Sequence, residues 1–154
     1  MVKSALGLAV AISVAVPASA RAAEAQGVLG VQFGAPLRAS GTIGRLTGKP
    51  CADCNHSVHG ARLVRLSGGQ GGIKVSAGIG GGFFRPPVRA LGLLVSAVAI
   101  RTWGSPVGAE DGATFVGAEC ELALYGRAGA GAAMRVGGDG SREWLFLWSL
   151  GAGF

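Results

Sequence analysis

Large apolar and small or polar residues alternate along this chain with a period of two, and the period is clearest at its end. Over 143–154 the even positions are Trp144, Phe146, Trp148, Leu150, Ala152 and Phe154. The odd positions, Glu143, Leu145, Leu147, Ser149, Gly151 and Gly153, are mixed in polarity. Successive side chains of an extended strand point to opposite faces, so the pattern predicts a strand with one continuous apolar face. Seven more strands are predicted, over 27–34, 37–46, 58–67, 72–80, 88–102, 113–124 and 125–136.

The faces can be assigned in most of them. Ile73, Val75, Ala77 and Ile79 oppose Lys74, Ser76 and glycines. Leu37, Ala39, Gly41 and Ile43 oppose Arg38, Ser40, Thr42 and Gly44. Val116, Ala118, Cys120 and Leu122 face away from Phe115, Gly117, Glu119 and Glu121, and Ala128, Ala130, Ala132 and Met134 face away from Arg127, Gly129, Gly131 and Arg135. The stretch 58–67 alternates poorly, because Arg62 and Arg65 fall on opposite faces. Alternation runs unbroken through 113–136, far longer than a membrane-spanning strand of about 9–11 residues, so a tight turn is placed at 124–126. Gly- and Pro-rich stretches at 67–71, 85–87, 104–112 and 137–141 read as turns.

The first twenty residues belong to a different pattern. Lys3 precedes an almost wholly apolar run over 5–16, followed by Pro17-Ala18-Ser19-Ala20. A basic start, an apolar centre and a small-x-small site form a signal peptide, and about a dozen apolar residues fall short of the ~20 that span a bilayer as a helix. Cleavage is expected after Ala20, with Ala22 as the second choice, leaving 21–154 as one exported domain. No later run reaches the length of a membrane helix.

Composition agrees with a small barrel. The 154 residues include 29 glycines, 49% are hydrophobic and only 14% are charged. This is too apolar for disorder, lacks the every-third-glycine spacing of collagen, and carries glycines that cost a helix about 1 kcal/mol each. Glycine on the inner wall of a narrow barrel leaves room for larger neighbours. The net charge of +6 is spread singly rather than clustered, which argues against a nucleic-acid partner.

The charged residues fall mainly on the faces opposite the apolar ones. Arg38, Lys74, Glu119, Glu121, Arg127 and Arg135 are therefore expected to form a salt network inside the barrel, with Arg89 and Arg101 as further inner-wall candidates. Buried charges must be paired and hydrogen-bonded, and an eight-stranded barrel is just wide enough to be filled by side chains. The i, i+2 spacing of Glu119 and Glu121 puts two carboxylates on one face, as acid–base chemistry would need. A carboxylate beside an arginine is held ionised and makes a poor proton donor, so no catalytic residue is assigned.

Cys51-Ala52-Asp53-Cys54-Asn55-His56-Ser57-Val58-His59 places two thiols and two imidazoles within one connection. These are zinc-type donors, but the spacing is compressed relative to zinc modules. Export into an oxidising compartment favours a Cys51–Cys54 disulfide, with metal binding and an inert loop as alternatives. No metal or cofactor is assigned.

The leader, the alternating strands and the closing Trp144-Leu145-Phe146-Leu147-Trp148-Ser149-Leu150-Gly151-Ala152-Gly153-Phe154 together resemble the small outer-membrane β-barrel proteins of Gram-negative bacteria, the OmpA/OmpX-type class. The resemblance implies an eight-stranded antiparallel up-and-down transmembrane barrel with both chain ends on the periplasmic side. It implies that Phe154 belongs to the signal read by the barrel assembly machinery, and that Trp144, Phe146, Trp148 and Phe154 face outer-membrane lipid. Such a barrel, its lumen filled, is expected to have a structural, adhesive or unassigned role. Two alternatives follow. One is an outer-leaflet lipid-modifying hydrolase using His56 or His59 and Ser57. The other is a soluble periplasmic β-protein that binds a small ligand.

Overall fold

A computed structural model describes residues 24–50, 57–85, 88–124, 126–136 and 143–153. The leader at 1–20, Cys51, Cys54, His56 and Phe154 lie outside the described residues. The chain forms eight strands: β1 (Glu24–Ala35), β2 (Arg38–Pro50), β3 (Ser57–Gly69), β4 (Gly72–Arg85), β5 (Val88–Thr102), β6 (Thr114–Ala123), β7 (Arg127–Arg135) and β8 (Trp144–Gly153). Each pairs antiparallel with its sequence neighbours, and β1 pairs with β8, so the sheet closes into an up-and-down barrel. Closure removes both sheet edges. This is the topology expected from the resemblance.

The alternation predicted from sequence sorts side chains between lumen and exterior. Lys74 and Ser76 are buried while Val75 and Ile79 are exposed; Glu119 and Glu121 are buried while Val116 and Leu122 are exposed. Along β8, Leu145, Leu147 and Ser149 point in, and Trp144, Phe146 and Leu150 point out.

Three expectations change. β3 alternates as regularly as the others: Ala61, Leu63, Arg65 and Ser67 are buried, and Arg62, Val64 and Leu66 are exposed. A charge on each face hid the pattern, because a barrel interior accepts a charge once it is paired. Leu37, expected outside, is buried at the β1–β2 turn. Arg101, expected inside, is exposed and donates to Thr114 Oγ1 at 2.8 Å, because β5 turns its even positions Ser96, Val98, Ile100 and Thr102 inward.

The lumen is layered. Val98, Ile100, Ala113, Phe115, Ala133, Leu145 and Leu147 form an apolar plug toward the β5–β6 and β7–β8 connections. The 103–113 connection lies over it, with Ala109 packed on the plug. Val107 N donates to Pro36 O at 3.1 Å, and Trp103 N donates to Gly71 O at 3.3 Å. These bonds tie the connection to the β1–β2 and β3–β4 turns, so this mouth of the barrel is capped. Thr102 holds the base of the cap: its hydroxyl donates to Glu110 O at 2.6 Å and accepts from Ala113 N at 3.0 Å.

Candidate functional site in the barrel interior

Beneath the plug, four strands contribute charges to one cluster. The β3–β4 hairpin has a short turn over 70–71, which sets Arg65 opposite Ser76 and Ser67 opposite Lys74. Both Arg65 and Lys74 therefore point inward. The alternation of β6 supplies Glu119 and Glu121, and β7 begins with Arg127.

Lys74 Nζ donates to Glu119 Oε2 at 2.7 Å, and Ser149 Oγ donates to Glu119 Oε1 at 3.0 Å. Both oxygens of that carboxylate are thus engaged. Arg65 donates from one terminal nitrogen to Glu121 Oε2 at 2.7 Å and from Nε to Ser76 Oγ at 3.3 Å. Arg127 stands 3.7 Å from Glu121 Oε1, beyond hydrogen-bond length, and that oxygen accepts no hydrogen bond from a described residue. Thr42 and Ser67 share a hydroxyl–hydroxyl contact of 3.0 Å on the neighbouring wall.

Burial is deep. Arg65, Glu119 and Glu121 are each 2% exposed and Lys74 4%. Ions taken this far from water are tolerated only when paired, since the desolvation penalty amounts to several kcal/mol per ion. Space for them comes from glycine. A Cβ on Gly129 would come within 2.6 Å of both Glu119 Oε1 and Ser149 Oγ. The glycine keeps the wall clear where the carboxylate and hydroxyl meet.

Comparison with protein-family models, with curated proteins and with solved structures finds no match to this chain. The reading of the site therefore rests on its own geometry.

The structure gathers Lys74, Glu119, Glu121 and Arg127 into one cluster and adds Arg65, the residue that alternation alone did not select. The hairpin register would have found it: with Lys74 inside and a two-residue turn, Ser67 and Arg65 must be inside too. Arg38 is elsewhere. It is exposed at the first position of β2, next to the turn, with φ of 59°. Arg135 is also apart from the cluster, at the capped mouth, where it donates to Glu110 Oε2 at 2.7 Å and Glu143 Oε2 at 2.8 Å.

Trp144, Phe146 and Trp148 lie on the outer face of β8, the first two 68% and 67% exposed. Trp148 is half-buried with its ring 5.8 Å from that of Phe33 on β1, edge to face. That contact spans the seam where β8 closes on β1.

Chemically, each carboxylate faces a cation, and a serine hydroxyl is committed to one of them. Three cations thus face two carboxylates, and these side chains fill the centre of the barrel. Among the described residues no group of His, Cys, Asp and Glu side chains is arranged to hold a metal.

Proposed function

We propose that this protein is an integral outer-membrane β-barrel whose lumen is closed by its own side chains and whose role is structural, adhesive or not assigned by its geometry. The observation that carries the proposal is an inside-out distribution of polarity. Arg65, Lys74, Glu119 and Glu121 are almost fully buried, whereas Val31, Ile79, Trp144 and Phe146 are 67–68% exposed. In water such an exterior would be a large apolar patch of the kind that marks an interaction surface. In a bilayer it is the surface that faces hydrocarbon, and closure satisfies the backbone polar groups.

Dimensions agree. β8 runs from Trp144 to Gly153, roughly 30 Å at ~3.3 Å per residue. A tilt of ~40° projects this to about 23 Å, close to the apolar band of ~25 Å in outer-membrane barrels. The charged cluster and the apolar plug leave side chains, rather than a channel, along the axis. In this reading the partners are outer-membrane lipids and, through Phe154, the barrel assembly machinery.

Cell fractionation tests the proposal. The protein is expected in the outer-membrane fraction and resistant to carbonate extraction. Recovery in the soluble periplasm would refute it.

A further inference from the structure

The outer wall carries a shallow groove of about 380 Å³ across β2, β3 and β4. Its apolar sides are Ile43, Val64, Leu66 and Val75, all outward and exposed. Arg45 lines one end. The register sets Arg45 opposite Val64 and Thr47 opposite Arg62, so Arg45 and Arg62 are diagonal neighbours on the same outer face. Both are exposed. Diagonal neighbours stand roughly 7 Å apart, within common reach of long side chains. None of the ion pairs among the described residues includes either arginine.

Two adjacent cations on one sheet face repel each other unless an anion lies between them. Two guanidiniums are also the geometry that phosphate oxygens match best. The arginines lie on the half of the barrel nearer the chain termini, because β2 runs toward the 51–56 connection and β3 returns from it. The groove leads from them toward the β3–β4 turn, as far as the paired Leu66 and Val75. An apolar slot with paired cations at one end fits an amphiphile with one negative head.

We propose that this groove binds an anionic glycerophospholipid, its phosphate between Arg45 and Arg62 and one acyl chain along Ile43, Val64, Leu66 and Val75. The proposal rests on the membrane reading above. It names a lipid of the leaflet at the end of the barrel where the chain begins and ends.

The test uses the full mature chain reconstituted in phosphatidylcholine bilayers with trace spin-labelled phosphatidylglycerol or spin-labelled phosphatidylcholine. Electron paramagnetic resonance then reads the motionally restricted fraction of each label. Phosphatidylglycerol is expected to be preferred, by about fivefold in relative affinity for each arginine. Arg45→Ala with Arg62→Ala abolishes the preference, Arg45→Lys with Arg62→Lys keeps most of it, and Arg38→Ala, away from the groove, leaves it unchanged. A heat-modifiable gel shift checks that each variant is folded. Equal restriction of the two lipids by the wild type, a preference that survives the double alanine variant, or an equal loss in Arg38→Ala overturns the site while the membrane reading stands. Absence of a restricted component for either lipid overturns both.

Discussion

Lys74 Nζ and Glu119 Oε2 meet at 2.7 Å inside the barrel, joining β4 to β6, strands that do not pair with each other. The pair is a tie across the lumen, and its side chains are 5% and 1% exposed. Removing one partner leaves an uncompensated buried charge. Glu119→Ala or Lys74→Met is expected to lower stability by about 3–5 kcal/mol. Lys74→Met combined with Glu119→Leu is expected to recover most of the loss, since apolar replacement of a whole buried pair is often neutral. Urea unfolding in lipid vesicles, followed by tryptophan fluorescence, measures all three.

Gly129 and Gly41 give a contrast within one residue type. A side chain at Gly129 meets Glu119 and Ser149, whereas at Gly41, on the outer face, a Cβ meets nothing within 4 Å. Gly129→Val is expected to cost about 1–3 kcal/mol through forced displacement of the charged cluster. Gly41→Ala is expected to stay within about 0.5 kcal/mol of wild type. The same unfolding assay compares them.

Arg135 clips the capped mouth through Glu110 on the 103–113 connection and Glu143 at the start of the last hairpin arm. These pairs are partly solvated, so Arg135→Ala is expected to change global stability little. Its larger effect is local. The 103–113 connection is expected to be cut faster by added protease, and unchanged cleavage rates would contradict the clip.

The outer wall is tested by charge. Ala130 sits mid-strand on β7, exposed, between Cys120 on β6 and Trp148 on β8. If this surface faces hydrocarbon, Ala130→Arg costs about 2–4 kcal/mol in folding into bilayers. On a water-facing wall the same change is within about 0.5 kcal/mol of neutral.

How much of this was legible in the sequence depends on which physical rule dominates at each position. Where one face is apolar and the other small or polar, as in β4 and β6 to β8, alternation predicts both the strand and its inward residues. The turn placed at 124–126 falls where β6 ends and β7 begins, at Ala123 and Arg127. β5 was predicted from Val88 to Thr102 and found there. β2 and β4 extend beyond the predicted segments, because Gly48 and Gly81-Gly82 interrupt the hydrophobic pattern while the strands resume pairing past them; the register shifts between Thr47 and Lys49 on β2 and between Val58 and Ala61 on β3, where Gly60 has a φ of 65°. Arg65 was missed because a binary pattern reads a charge as outward, whereas here Glu121 and Ser76 satisfy it inside. Arg38 was misplaced for the opposite reason: its parity is inward, but it opens β2 at the barrel mouth with a positive φ, which leaves its side chain exposed. The cap over the plug was not legible, since its bonds join turns distant in sequence.

The most direct test of the account is electrophoretic. A folded outer-membrane barrel keeps its structure in cold SDS, so unheated protein from outer membranes is expected to migrate differently from the boiled sample. Deleting Phe154 is expected to reduce the heat-modifiable species recovered from those membranes. Identical mobility before and after boiling, together with localisation unaffected by loss of Phe154, would contradict the central claim.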